Sequence, residues 1–161
     1  MRISKKSEYA MRALLKMVDL LSKDPAHPVG LAKIARQERI PEQFIKQIFV
    51  KLRRSGIVRS VRGVEGGFFF AKPLDLITVG QVMRILDGPV DPIPCVSQSG
   101  YAKCTCADET TCGFRIVMLE AKKRLTELFE HYSLLALAND VRDRRRASFS
   151  ALDSSQDYYQ I

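Results

Sequence analysis

The chain has 161 residues, of which 46% are apolar and 27% are charged, and its formal net charge is +8. This length and composition are typical of one folded domain, with or without an appendage, and they exclude a small domain that depends on disulfide staples. No segment reaches the roughly 20 apolar residues of a membrane-spanning helix, and residues 1–17 lack the features of a signal peptide. We therefore expect a cytoplasmic protein without a membrane partner.

The positive charge is concentrated in the first half of the chain. Residues 1–73 hold sixteen Lys and Arg against six Asp and Glu, whereas residues 74–161 hold ten against twelve. A basic half-chain favours an anionic partner, above all nucleic acid, although a solvated basic face would have the same composition.

Three successive segments show the apolar spacing of amphipathic helices: 4–22, 31–40 and 41–56. A tight turn separates the second helix from the third, and Pro41 is suited to the start of the third. The third helix has an apolar face of Phe44, Ile45, Ile48, Phe49 and Leu52. On its other sides lie Glu42, Gln43 and Lys46, which could contact bases and phosphates in a major groove. The pattern predicts a helix-turn-helix, although most helix pairs only pack.

A β-hairpin is predicted directly after the third helix. Residues 57–61 and 68–71 are rich in β-formers, and the glycine-rich turn RGVEGG separates them. A hairpin in this position is a wing, and Arg59, Ser60 and Arg62 would contact the DNA backbone or minor groove. A plain hairpin with surface arginines is the alternative. Residues 1–75 are therefore predicted to form a winged helix-turn-helix.

The second half is predicted to contain one short and one long helix. Residues 76–87 form the short helix, for which Thr78 is the expected N-cap, and residues 76–112 include a cysteine-rich loop. Residues 113–139 form a long dimerisation helix, and residues 140–161 a disordered basic and polar tail. The long helix would pair with a second subunit through a seam of Met118, Ala121, Leu125, Leu128, Tyr132 and Leu135. The fold class is thus mostly α.

All four cysteines, Cys95, Cys104, Cys106 and Cys112, lie within eighteen residues. In a reducing compartment, clustered thiols favour metal or redox chemistry over disulfides. The spacing disfavours a zinc site, because zinc knuckles have two to four residues between paired cysteines and no pair here fits. An iron–sulfur cluster is the favoured interpretation, and a metal-free thiol switch or a zinc site are the alternatives.

The sequence resembles the family of winged-helix regulators that includes the iron–sulfur regulator IscR and the nitric-oxide sensor NsrR. The likeness covers residues 1 to about 139 and rests on MRISKKSEYAMRALL, IPEQFIKQIFVKLRRSGIVRSVRGVEGGFFFAKP, ITVGQVMRILDGP and the cysteine loop. The resemblance implies a homodimeric transcriptional regulator, with a repressor expected, that binds double-stranded DNA at a two-fold-related operator. Its DNA affinity would depend on an iron–sulfur cluster, with 2Fe-2S favoured over 4Fe-4S.

The resemblance also implies a ligand set for the cluster. Cys106 and Cys112 match the last pair of the family motif, and Cys95 matches its first cysteine, whereas Cys104 is an additional thiol. Arg115 stands where some members have a ligating histidine and cannot ligate. The fourth ligand would be either Cys104 or, as in other members, the acidic Glu8 of the partner's first helix.

An enzyme or electron carrier is the competing class of function. No nucleophile–base pair and no phosphate-binding glycine motif occurs in the sequence, which has only two histidines, His27 and His131. We therefore expect a regulator that is not an enzyme.

Overall fold

The computed structural model describes residues 3–63 and 65–156, with the backbone alone for residues 149–156. Within these residues, short 3₁₀ turns occur at Leu74–Leu76 and Pro94–Val96. The helices and strands follow in the order α1 (Lys5–Lys23), α2 (Leu31–Glu38), α3 (Glu42–Arg54), β1 (Val58–Val61), β2 (Gly67–Phe70), α4 (Val79–Asp87), α5 (Gly113–His131) and α6 (Leu134–Gln156). The predicted mostly helical winged fold is confirmed. No helix in the described part of the chain is long and apolar enough to cross a membrane.

The hydrophobic core lies where α1, α2 and α3 meet. Ser4 begins α1 by accepting hydrogen bonds from the N–H groups of Lys6 and Ser7, which satisfies two of the free donors of the first turn. Leu14 and Met17 of α1 and Phe49 of α3 are fully buried. Helix α1 also packs against α4 and α6, so it is the central element of the fold.

The turn between α2 and α3 fixes the position of α3. Arg39 ends α2 with a left-handed backbone (φ 52°), and its N–H donates to the carbonyls of Ala35 and Arg36. Pro41 then precedes α3 and accepts hydrogen bonds from Phe44 and Ile45. A reversal this short leaves α2 and α3 in contact, as the helix-turn-helix prediction requires.

The wing is a two-stranded antiparallel hairpin that packs against the first helices. Strand β1 pairs with β2 in a register that places Val58 opposite Phe70. Phe68 of β2 contacts the ring of Phe49 edge-on, with 5.1 Å between ring centroids. Phe68 also exchanges two backbone hydrogen bonds of 3.0 Å with Val29, in the loop between α1 and α2. The hairpin is therefore anchored on the helical core.

Phe44, which was predicted as part of the apolar face of α3, is not buried. Its side chain is 42% exposed, and its ring contacts the edge of Tyr9 at 6.2 Å. The neighbouring Ile45 is fully buried, and the core at this level is complete without Phe44.

The single helix expected over residues 113–139 is two helices. Helix α5 ends at His131, and Tyr132 and Ser133 are extended because they pair with the segment before α4. The N–H of Val79 donates to the carbonyl of Tyr132 (2.9 Å), and the N–H of Leu134 donates to that of Ile77 (2.7 Å). These bonds replace the helical bonds that a continuous helix would make here.

The chain after residue 139 also differs from the expected disordered tail. Helix α6 continues to Gln156, with Leu134 buried in the core and Ala138 packed against it. Residues 157–161 of the predicted tail lie outside the described residues. The predicted seam does not extend to Tyr132 or Leu135, because Tyr132 follows the end of α5 and Leu135 belongs to α6.

Candidate functional site

The exposed face of α3 carries the predicted base-contacting residues. Gln43 and Lys46 are exposed, and the Nζ of Lys46 lies 2.7 Å from a carboxylate oxygen of Glu42. The hydrogen bond from Lys46 lowers the pKa of the Glu42 carboxyl, so this carboxylate stays ionised. Helix α3 thus presents an amide and an ion pair on the side opposite its buried face.

The wing presents its cations next to the end of α3. The guanidinium of Arg59 lies over the ring of Phe69 at 4.7 Å, which holds it on the hairpin surface. Ser60 accepts a hydrogen bond of 3.4 Å from Arg53, and this bond links α3 to β1. Arg62 is exposed and forms no ion pair with any side chain that the structure describes.

Arg53 also belongs to this surface, although the sequence pattern did not single it out. It lies in the last turn of α3 and bridges the helix and the wing through Ser60. The sequence contains a signal for this role, because the basic run KLRR ends the helix directly before the hairpin. Cations between a recognition helix and a wing are suited to phosphate contacts.

The four cysteines line a single cavity of about 300 Å³. Cys95 is buried in the 3₁₀ turn Pro94–Val96, whereas Cys112 is the residue that precedes α5. The other lining residues are Ile93, Pro94, Ala102, Lys103, Phe114 and Arg115. The four cysteines that cluster in the sequence therefore also lie around one cavity in the fold.

The distances within the cavity differ between the thiols. The Sγ atoms of Cys106 and Cys112 are 3.9 Å apart, and Cys104 Sγ accepts a hydrogen bond of 3.3 Å from the N–H of Cys106. In the described residues, no three Cys, His, Asp or Glu side chains already converge as a complete metal site.

The thiol pKa values reflect these neighbours. The N–H of Arg115, in the first turn of α5, lowers the pKa of Cys112. Hydrogen bonds with Cys104 and then Cys112 raise the pKa of Cys106 to about 12. Burial raises the pKa of Cys95. Of these three thiols, Cys112 therefore ionises most readily.

Two acidic residues brace the loop, and sequence reasoning singled out neither. One carboxylate oxygen of Glu109 accepts from the N–H of Cys104, and the other accepts from the hydroxyl of Tyr101, both at 2.8 Å. Asp108 accepts hydrogen bonds from Thr110 and Thr111. No motif marks these contacts, because they depend on the loop conformation.

The cysteine loop is attached to α5 by a half-buried ion pair. Lys122 Nζ lies 2.7 Å from Asp91 and donates to the carbonyl of Val96 at 2.8 Å. The predicted ligand Glu8 lies elsewhere, on the surface of α1, 2.6 Å from Lys5 and 3.7 Å from Arg12. Within one chain, Glu8 is not among the residues that line the cavity.

The chain belongs to the Rrf2 family, whose model, described as that of an iron-dependent transcriptional regulator, matches residues 3–140. The resemblance inferred from the sequence is thereby confirmed. An rrf2-like HTH-type transcriptional regulator of Rhodobacter capsulatus is 35% identical over 73% of this chain and 79% of its own. The HTH-type transcriptional regulator IscR of Citrobacter koseri is 33% identical over 90% of this chain and 87% of its own.

Two solved structures support the same assignment. CymR, the global cysteine regulator of B. subtilis, superposes with a TM-score of 0.68 at 27% identity, over 86% of this chain and 97% of its own. IscR of T. potens superposes with a TM-score of 0.66 at 25% identity, over 88% of each chain. The protein is a DNA-binding transcriptional regulator of a family that is not enzymatic.

The chemistry of the cavity fits a thiolate-bound metal centre. Two thiolates on one tetrahedral metal, each about 2.3 Å from it, lie about 3.8 Å apart. The 3.9 Å between Cys106 and Cys112 matches this spacing. Cys95 and Cys104 line the same cavity, and a set of thiol groups is chemically suited to iron–sulfur clusters.

Proposed function

We propose that the protein is a homodimeric repressor whose affinity for DNA is set by an iron–sulfur cluster in the cysteine cavity. The observation that carries the proposal is that all four cysteines line one cavity at the start of α5. Cys95, Cys106 and Cys112 would be ligands, and the fourth would be Cys104 or the partner's Glu8. A 2Fe-2S cluster is proposed, which when bound would make the protein responsive to iron–sulfur status, redox state, oxygen or nitric oxide.

Helix α3 and the wing would bind the duplex together. Gln43 and Lys46, with the paired Glu42, would enter the major groove, and Arg59, Ser60 and Arg62 would contact the backbone or minor groove. Because chromosomal DNA is the proposed partner, the cytoplasm is the proposed place of action.

The proposed dimer interface is an apolar stripe on α5. Of the predicted seam, Leu128 is 48% exposed, and Met118, Ala121 and Leu125 are half-buried. Phe114 (62% exposed) and Val117 (58% exposed) extend this stripe toward the start of α5. Helix α5 has no fully buried residue, which is unusual for a helix of this length unless another surface covers it. If two α5 helices pair symmetrically, the dimer carries two α3 helices related by a two-fold axis. These two helices would bind a two-fold-related operator.

A continuous set of contacts joins the cysteine cavity to the DNA-binding helices. Cys112 directly precedes α5. Glu130, near the end of α5, accepts a hydrogen bond of 2.7 Å from Thr78 and pairs with Arg84 of α4. Asp87, at the end of α4, accepts from the N–H of Ser4 at 3.0 Å. A change in the loop could thus shift α5, α4 and α1 between two arrangements with different spacing of the α3 helices.

The proposal is tested with a duplex selected from a random library by the anaerobically reconstituted protein. Removal of iron with a chelator should change the affinity for this duplex about 5- to 150-fold, the usual range of allosteric coupling. Cys112→Ser should bind the duplex like the stripped protein. Equal affinity of the reconstituted, stripped and Cys112→Ser proteins would contradict the proposal.

A metal-free thiol switch is the second candidate function. It is favoured by the 3.9 Å separation of Cys106 and Cys112, from which a disulfide needs only a small movement. The same spacing would also suit a zinc ion. A colourless, iron-free protein that binds the selected duplex only when reduced would favour the thiol switch, and a stoichiometric zinc content would favour zinc.

A further inference from the structure

We propose that Cys104 completes the ligand set from within the same chain, and that Glu109 and Tyr101 are the positioning residues that hold it there. This inference rests on the proposed function and extends it, because it selects between the two candidate fourth ligands. It also gives a role to two residues that the sequence did not mark.

The carboxylate of Glu109 is the centre of the arrangement. Its two oxygens accept separately from the N–H of Cys104 and the hydroxyl of Tyr101, each at 2.8 Å. These bonds are charge-assisted, and they lower the pKa of the Glu109 carboxyl, with the Cys104 N–H the larger cause. Glu109 thereby ties residues 101, 104 and 109 together. A ligand whose backbone is fixed in this way loses less conformational entropy when it binds a metal.

The clamp formed by Glu109 and Tyr101 directs Cys104 toward the other thiols. Cys104 is half-buried, lines the cavity, and accepts the N–H of Cys106 through its sulfur. This brings the additional thiol next to Cys106, one member of the pair at metal-ligand spacing. Cys104 is thus part of the site before any group binds.

Two cationic residues also border the cavity. Lys103 and the half-buried Arg115 line it, and Arg115 Nε donates to the carbonyl of Cys95 at 3.4 Å. Nearby cations stabilise the thiolate forms of cysteines. Two cations would offset part of the negative charge of four thiolates around a cluster.

Glu8 is already engaged by two cations on its own helix. Lys5 lies 2.6 Å and Arg12 3.7 Å from its carboxylate, and the hydrogen bond from Lys5 lowers its pKa. Reaching a partner's cavity would require Glu8 to give up these contacts. It would also have to compete with a softer sulfur ligand, Cys104, that already lines the cavity.

The ligand assignment is tested on anaerobically reconstituted wild type, Cys104→Ala, Cys104→Ser and Glu8→Gln. The readouts are iron and sulfide content and the reduction potential of the cluster. Cys104→Ala should raise the potential, because one negative ligand is removed, whereas Glu8→Gln should leave both readouts unchanged. Cys104→Ser, which keeps the size of the side chain, should also differ from wild type.

Two outcomes would overturn different parts of the account. If Glu8→Gln shifts the potential and the Cys104 variants do not, Glu8 is the ligand and the inference fails while the proposed function stands. If wild type takes up neither iron nor sulfide, the proposed function itself fails.

The positioning role is tested with Glu109→Gln and Tyr101→Phe. Loss of an outer-shell partner typically costs about 10- to 100-fold in metal affinity, so both variants should release iron to a chelator more readily by a factor in this range. Glu120→Gln is the matched control, because Glu120 is an exposed α5 carboxylate paired only with Arg124. Retention of iron equal to that of the control would overturn the positioning role.

Discussion

At the scale of single residues, the wing makes the most direct prediction about DNA. Arg62 is an exposed cation of the hairpin without an ion-pair partner among the described side chains. Arg62→Ala should therefore weaken binding to the selected duplex, and should reduce the slope of log affinity against log salt by about 1. Fluorescence anisotropy over a series of salt concentrations measures both.

Arg124→Ala is the control for Arg62. It removes another exposed arginine, which lies on α5 and pairs with Glu120 at 2.6 Å. Its affinity and salt slope should match those of wild type. An Arg62 variant that behaves like the Arg124 control would remove the wing from the proposed interface.

A second residue-scale prediction concerns pH and the loop between α1 and α2. Asp24 accepts from the His27 ring at 2.9 Å and raises the pKa of His27 above its usual 6.5. The stability that this pair gives the folded protein is complete below the pKa of His27 in the unfolded chain. It is lost as the pH rises through the pKa of His27 in the folded protein. Asp24→Asn should therefore destabilise the protein at about pH 5 and have less effect at about pH 9. Urea midpoints at both values test this, and an equal effect at both would contradict it.

The sequence shows that the four cysteines are clustered, but it does not show which residues hold their loop in place. The clustering of four thiols within eighteen positions is visible in the sequence. The bonds from Glu109 to Cys104 and Tyr101 are not visible, because an acidic residue in a polar loop is ordinarily solvated. Their existence depends on the path of the loop around the cavity.

At the scale of secondary-structure elements, Gly67 allows β2 to approach the first helices. A Cβ at this position would lie 2.7 Å from backbone atoms of Val29, which cannot move without breaking the bonds to Phe68. Gly67→Ala should cost about 1–3 kcal/mol of stability, as overpacking usually does. It should also displace the wing and weaken DNA binding.

Gly100→Ala is the control for Gly67. The nearest atom to its added Cβ is Ser97 Oγ at 3.6 Å, an ordinary contact. Thermal unfolding of both variants measures the difference. Equal midpoints would show that the packing of β2 on Val29 does not limit the side chain at position 67.

The helices of the first half could be predicted from the sequence, whereas the end of α5 could not, because the two depend on contacts of different range. Helical periodicity and caps such as Thr78, which accepts from the N–H of Gln81, depend on nearby residues. The break after His131 depends instead on pairing with Ile77 and Val79, more than fifty residues earlier. A local signal also existed, since Ser133 caps α6 by accepting from the N–H of Ala136.

At the scale of the whole molecule, the proposed dimer depends on the stripe on α5. Val117 is 58% exposed in the middle of the first half of this helix. Val117→Glu should yield a monomer, because a carboxylate would be buried without a partner in the interface. Sedimentation velocity measures the mass directly. Loss of the dimer should also lower the affinity for a two-fold duplex, since only one α3 would then bind.

Lys123→Glu is the control for the dimer prediction. It introduces the same charge at an exposed position of α5 that lies away from the stripe. It should sediment as wild type does. A Val117→Glu protein that remains dimeric would show that the subunits meet through another surface.

The central claim is that the cysteine cavity holds an iron–sulfur cluster, and the most direct test is the spectrum and composition of the anaerobically purified protein. The account predicts visible charge-transfer bands, with about two iron and about two acid-labile sulfide per subunit. Cys112→Ser should lose both. A wild-type protein that stays colourless and iron-free after reconstitution would contradict this claim. The four cysteines would then have a function other than binding an iron–sulfur cluster.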